Sequence, residues 1–378
     1  MFHTASLSIQ VPLLKLKSLL DSVGFSSHDY VELVSGRSKN KTLKVMDVHG
    51  MAYPGLKELE IYRVFIEPLQ AYRYFCWLKI EPLMMIRKKR TVELFEATPE
   101  NINLLEDVFL EYMSRLLGKD FKAYHPIRVW ACKRLDISYN LLLANSLIAS
   151  DFIQLTKRRN LLSTHKANSR YKYINCSNSA YSKSSKVILY DKERHIADTF
   201  TSISGLEAAI LLLDAGGTVR FELQCKQEKL RSIRDKHGIE DKSILPLLDE
   251  TIANEQLSAY YRNTVGFGDF YIKYHAEKAV KTAKFSVSTK EKLLKTLRLI
   301  AISRDVKKAM KVFTGGRNSS FSGTEQTFRS YLKKLDELGI NYVMIPKEWP
   351  AQHNYKDSVK EKIPNPAPAA WRESEKSA

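Results

Sequence analysis

Two spacings of apolar residues divide the chain. Alternation of apolar and polar residues marks strands, and spacing of three and four marks helices. His3 to Leu14 (HTASLSIQVPLL) and Tyr30 to Val34 (YVELV) read as strands, with Pro12 at a strand edge or end. Tyr72 to Ile86 (YRYFCWLKIEPLMMI) reads as a long aromatic strand. Its rings are assigned to the core, with base stacking as the alternative. The following Arg87 to Arg90 (RKKR) is either a solvated turn or a phosphate contact. A helix opens at Thr98, a good N-cap followed by Pro99 at the first helical position. Leu104, Leu105, Val108, Phe109, Tyr112, Met113, Leu116 and Leu117 form its core stripe, and Gly118 closes it. Ile127 to Tyr139 is the next predicted strand.

The same order then recurs. Lys186 to Glu193 (KVILYDKE) predicts a strand and Leu206 to Leu213 a helix, with Ser204 and Glu207 as its capping box. Gly216 and Gly217 end that helix, and Thr218 to Lys226 (TVRFELQCK) is a strand. Strand–helix–strand thus appears twice, over 72–139 and 186–226. The expected class is α+β, a mostly antiparallel sheet covered by helices, with a helical C-terminal region. That region holds Lys290 to Ile302, Asp305 to Phe313 and Thr324 to Leu338, the last two joined across Gly315 to Gly323. A helix-turn-helix-like element and a plain helical hairpin both fit it. Residues 347–378 are rich in Pro, Lys and Glu and read as a disordered tail. The expected domains are an α/β domain over 1–240, a helical domain over 241–346, and that tail.

Charge adds a partner to this picture. The 378 residues carry a formal net charge of +18. Such an excess suits a polyanion, most simply DNA or RNA, although a basic solubility surface would look the same. Between 157 and 186 the cations Arg158, Arg159, Lys166, Arg170, Lys172, Lys183 and Lys186 are interleaved with Tyr171, Tyr173 and Tyr181. This pattern suits phosphate and base contacts, and equally a surface loop. Cys76, Cys132, Cys176 and Cys225 form no CxxC pair, which argues against a zinc ribbon and for reduced thiols. No apolar run reaches a membrane span and no signal-peptide pattern opens the chain, so a cytoplasmic protein is expected.

Three strands share one design. Alternation places Arg134 with Asp136, Tyr190 with Lys192, and Arg220 with Glu222, each pair on one strand face. If the strands are neighbours, one polar face collects two carboxylates, a phenol and several cations. Asp136 and Glu222 could hold Mg²⁺ or Mn²⁺, with water and phosphate oxygens completing the shell. Tyr190 could attack a phosphodiester in line while Arg134, Arg220 or Lys192 stabilises the developing charge. The competing reading is the wet side of an antiparallel sheet.

RLDISYN, KVILYDKE and VRFELQCK, in that order, resemble the gene II protein family of filamentous-phage replication initiators. The resemblance runs from the first strand to about residue 240 and continues faintly through TFRSYLKKLDELGINYVMIP; the N-terminal 60 residues match poorly, so origin recognition does not carry over. A related pattern occurs in the Rep_trans plasmid initiators of rolling-circle replication. The resemblance implies a site-specific DNA nickase and strand-joining enzyme with a transient 5′-phosphotyrosyl link. It implies Tyr190 as nucleophile, with Tyr173 and Tyr181 as fallbacks, and Asp136 and Glu222 as metal-binding acids. Supercoiled origin DNA and single-stranded DNA would be the partners, in a bacterial cytoplasm. Host helicase, host polymerase and a dimeric state stay open. The nine histidines contain no H-x-H pair, so the histidine metal site of HUH nickases is not expected; His195 reads as a surface histidine that could assist proton transfer. A DNA-binding repressor of the same replicon and a metal nuclease without a covalent step remain as alternatives.

Overall fold

The computed structural model describes residues 1–36, 38–44, 53–159, 161–162, 165–167, 176–199, 205–316, 321–349 and 361–373. In chain order the first elements are β1 (Phe2–Val11), α1 (Leu13–Ser22), α2 (Ser27–Ser35), β2 (Asn40–Lys44), β3 (Leu56–Ile66), β4 (Ala71–Ile80), α3 (Pro82–Arg87), α4 (Pro99–Leu117) and β5 (Ala131–Leu142). Next come α5 (Ser146–Thr156), β6 (Lys166–Ala167), β7 (Ser177–Tyr181), β8 (Ser185–Asp191), α6 (Lys192–Thr199), α7 (Gly205–Ala215), β9 (Thr218–Lys226) and α8 (Gln227–His237). The last are α9 (Glu250–Thr264), β10 (Asp269–Ile272), α10 (Lys273–Thr282), α11 (Val287–Ser303), α12 (Val306–Gly315), α13 (Glu325–Glu337), β11 (Ile340–Ile345), β12 (Lys362–Ile363) and α14 (Ala369–Glu373). The class is α+β, with a large antiparallel sheet packed by helices.

The chain forms two compact units, and their boundaries differ from a cut at residue 240. The first comprises 1–139, 183–186 and 222–255; the second comprises 140–182, 187–221 and 256–378. In the first unit the strand order is β2-β3-β4-β1-β5, continued by residues 222–226 of β9 and 185–186 of β8. One face of this sheet is apolar. Leu7 of β1, Leu59 and Ile61 of β3, and Cys76, Leu78 and Ile80 of β4 are all buried there. α4 covers its own stripe with Leu105, Val108, Phe109, Tyr112, Met113 and Leu117, each worth roughly 1.5–3 kcal/mol of burial. Its start and stop are as expected: the Thr98 hydroxyl accepts from Asn101 N, and Gly118 follows at positive φ.

Several boundaries move for local reasons. β1 stops at Val11, because Pro12 leads directly into α1. YVELV lies within α2, not in a strand, because Ser26 and Asp29 form a reciprocal capping box ahead of it. The strand expected to reach Ile86 ends at Ile80, since Pro82 sits in the first turn of α3. A 3-10 turn at Ile127–Val129 delays β5 to Ala131. Lys192 is the first residue of α6, so it does not share a strand face with Tyr190. Ser204 lies outside the described residues.

The second unit is not purely helical toward its C-terminus. β10 pairs with β11 in parallel and with β12 antiparallel. α11, α12 and α13 begin at capping residues Ser286, Asp305 and Thr324, whose side chains accept from the third residue of each helix. The expected disordered tail includes β12 and α14, with Ile363 and Trp371 buried. Arg159 is also buried here, with its guanidinium 4.1 Å from the Tyr342 ring centre and 3.5 Å from Asp336. Gly266 makes room for it: a Cβ at Gly266 would stand 2.0 Å from the Arg159 guanidinium carbon, and its φ is +77°. Gly266→Ala is therefore expected to destabilise the fold by about 2–3 kcal/mol, from overpacking and left-handed strain together. A urea midpoint equal to that of the wild type would refute this.

Candidate functional site

The best-formed polar cluster lies in the first unit, on the sheet face opposite the apolar core. β5 alternates Arg134, Asp136 and Ser138 against Leu135 and Ile137. Arg134 folds back two residues along its own strand. Its Nε donates to Asp136 Oδ1 at 2.7 Å and its Nη2 to Oδ2 at 2.5 Å. The Thr4 hydroxyl of β1 donates to the same Oδ2. Asp136 is only 1% exposed.

Glu222 of β9 is buried as well. Its Oε1 accepts from Gln224 Nε2 at 2.7 Å, and its Oε2 lies 3.3 Å from His3 Nδ1. That imidazole nitrogen is buried and not aligned for a hydrogen bond, so the contact is one of ion-pair distance only. β1 shifts register against β5 between Phe2 and Ala5. This irregularity lets the adjacent residues His3 and Thr4 both reach carboxylates, which strict alternation forbids.

Burial dominates the electrostatics. Burial, and then the charge of Glu222, push the Asp136 carboxyl above the usual carboxylate range; Arg134 and Thr4 oppose the shift without cancelling it. Burial works against the Arg134 charge, but its bonds to Asp136 and the nearby Glu222 outweigh it, and the guanidinium is held more firmly protonated. Lys186 also feels both carboxylates. Burial nevertheless lowers the pKa of its ammonium, with Arg134 and Lys226 adding to the shift. The result is two acids and two cations in one largely desolvated place, not the wet sheet face that alternation alone suggests.

The other expected site residues have different surroundings. In the second unit Tyr190 is 4% exposed, with its ring centre 5.0 Å from that of His195. Lys192 and Arg220 are buried there too, and Arg220 Nε donates to Asn140 Oδ1 at 3.0 Å. Tyr181, a fallback nucleophile, is 43% exposed. Among the expected DNA contacts, Arg159 is a packing residue, because its charge is enclosed by Tyr342 and Asp336. Arg158 lies 5.7 Å from the Trp349 ring centre, and burial lowers its pKa. Lys183 is exposed and pairs with Glu228 at 2.8 Å. Arg170, Lys172 and Tyr173 lie outside the described residues, as does the side chain of Lys166. His3 and Thr4 are the residues that sequence reasoning missed; the alternation of Thr4, Ser6 and Ser8 was the available signal for Thr4, and none marked His3.

Among the described residues no group of three or more His, Cys, Asp or Glu side chains is arranged to hold a metal ion. An ion at this site would rest on Asp136 and Glu222, with His3 Nδ1 the nearest further donor to Glu222. No helix among the described residues is long and apolar enough to cross a membrane. No protein-family model, no curated protein and no solved structure matches this chain.

Proposed function

We propose that the chain is a DNA nickase and strand-joining enzyme that initiates rolling-circle replication of a phage or plasmid in the bacterial cytoplasm. The observation that carries this reading is the buried pair Asp136 and Glu222, with the half-buried cations Arg134 and Lys186 beside it. Two carboxylates that feel each other's charge away from water are costly unless a cation or proton joins them. Mg²⁺ or Mn²⁺ would supply Lewis-acid polarisation of the scissile phosphate. Asp136 and Glu222 would hold it, with water and phosphate oxygens completing the shell. Arg134, released from Asp136 when the ion binds, would face the phosphate and stabilise the charge that develops on its oxygens.

The resemblance assigns the nucleophile to Tyr190, four residues beyond Lys186 on β8. Its hydroxyl oxygen would form a bond to phosphorus as the bond to the 3′ oxygen breaks. The phenol proton is lost to a base, and the departing 3′ oxygen gains a proton to become a free 3′-OH. Rejoining reverses the step. The low exposure of Tyr190 requires local opening before a DNA strand reaches it, whereas Tyr181 is accessible as it stands. The second reading, a non-catalytic DNA-binding repressor, is favoured by the closed Arg134–Asp136 pair.

Purified protein, the supercoiled circle of its own replicon and Mg²⁺ or Mn²⁺ decide between them. A protease-sensitive DNA–protein adduct on a denaturing gel is expected with the wild type and absent with Tyr190→Phe. Loss of the adduct in Tyr181→Phe alone would move the nucleophile to Tyr181. Binding without any nick under either metal would establish the repressor.

A further inference from the structure

The aromatic strand β4 divides its rings between two faces. Tyr74 and Cys76 are buried on the core side, but Phe75, Trp77 and Lys79 point the other way and are only half-buried. The register carries this second face across the first unit. Lys79 stands beside Ser6, and Ser6 beside Arg134. Trp77 stands between Ser8 and Glu60, and Phe75 between Gln10 and Tyr62. The Tyr62 and Phe75 rings are stacked, with centres 5.3 Å apart and planes 20° from parallel. Beyond them, Arg73 donates to the neutral Gln10 side chain at 3.2 Å.

These residues share one sheet face. The rings of Tyr62, Phe75 and Trp77 lie beside β1, where Thr4, Ser6 and Ser8 are buried, Ser8 within 3.4 Å of the Tyr62 hydroxyl, and Gln10 is exposed. Asp136, bonded by Thr4 and Arg134, lies on the same face. Of the carboxylates on the face, Glu58 is paired with Lys79 and Glu60 with Lys44, each at 2.9 Å. Arg73 therefore adds positive charge with no carboxylate pair of its own among the described contacts. A row of half-buried rings beside an exposed arginine matches the two surfaces of an unpaired nucleic-acid strand, flat bases and anionic phosphates. A duplex keeps its bases stacked on one another and cannot use the rings. We propose that this face is a stacking platform for single-stranded DNA that leads the unpaired strand to Asp136 and Glu222. The proposal rests on the nickase reading for its direction, but the stacking itself is separable from chemistry.

The test is fluorescence anisotropy of a labelled oligothymidylate, about a dozen nucleotides long, within the usual span of such sites. The full chain is used at low salt, without metal. Trp77→Ala is expected to weaken binding about tenfold or more, the loss typical of one stacked base. Trp77→Phe, which keeps a stacking ring, is expected to retain most of the affinity. Binding of a duplex of the same length is expected to be unchanged in both variants. Phe75→Leu serves as a second variant if circular dichroism shows that Trp77→Ala has not folded. Failure of the wild type to bind the oligonucleotide overturns the platform, as does equal binding by all variants or a parallel loss of duplex affinity. Loss confined to the single strand, with no adduct formed by the wild type on its own circle, keeps the platform and removes the nickase.

Discussion

Trp371→Ala is expected to destabilise the second unit by about 3–5 kcal/mol, the usual cost of emptying a buried tryptophan site. Trp371 is 2% exposed, and its ring centre lies 5.4 Å from that of Tyr261, which is fully buried. Tyr261 donates its hydroxyl to Asn365 Oδ1 at 2.9 Å. The Asn365 amide in turn donates to the carbonyls of Gly266 at 2.8 Å and Gly268 at 3.0 Å. Its backbone N–H donates to Asp269 Oδ1 at 2.8 Å, and Lys362 holds the other oxygen of that carboxylate at 2.6 Å. The segment 361–373 is thus a clamp of one aromatic anchor and a closed polar network. Removing the anchor leaves a cavity and exposes hydrogen bonds that matter because they are buried. Urea denaturation followed by far-ultraviolet circular dichroism would show a markedly lower midpoint for Trp371→Ala. Truncation after residue 360 should reproduce it. A tail that contributes nothing would leave both midpoints at the wild-type value.

That clamp also shows where sequence reasoning stops. Composition assigns 347–378 to disorder because Pro, Lys and Glu dominate, and Ile363 and Trp371 are too sparse to make a period. What orders them is Tyr261, more than a hundred positions away. α4 is the opposite case. Its cap, stripe and terminator are all local, so its limits follow from the chain itself. Strand ends are harder, because alternation runs smoothly from Tyr190 to Lys192 while the backbone changes to helix between Asp191 and Lys192. The polar pairing of Arg134 with Asp136 is legible as a two-residue spacing. Its burial is not, since burial depends on which strands lie alongside. His3 was illegible as a site residue because the irregularity that turns it toward Glu222 breaks the period used to assign faces. Arg159 shows the limit of charge reading. A cation in a basic loop looks like a phosphate contact until its guanidinium is found over Tyr342.

Asp136→Asn is expected to reduce nicking about a thousandfold or more, the scale lost with one preorganised charge-stabilising group. It is also expected to leave the thermal midpoint at neutral pH unchanged or higher. The two halves come from one cause. Burial and Glu222 hold the Asp136 carboxyl above its ordinary range, so the folded state binds its proton more tightly than the unfolded chain does. The ionised group then lowers stability as pH rises from its unfolded pKa, about 3.9, through its folded value, and the full cost is present above that value. Asparagine keeps the shape and carries no charge, so this cost disappears. The bonds to Arg134 are weakened, but that side chain is 33% exposed and water can replace part of them. The gap between variant and wild type should therefore close as pH falls toward the unfolded carboxylate range. Glu222→Gln provides the cross-check: by removing the neighbouring charge it should lower the Asp136 pKa and also abolish nicking. Melts between pH 4 and 8, with adduct gels on the same preparations, read both halves. A variant that nicks normally would remove Asp136 from the chemistry. One that is inactive and markedly less stable at neutral pH would make the Arg134–Asp136 pair a structural tie. Inactivity with preserved or raised stability is what a group retained for reaction, at the expense of the fold, produces.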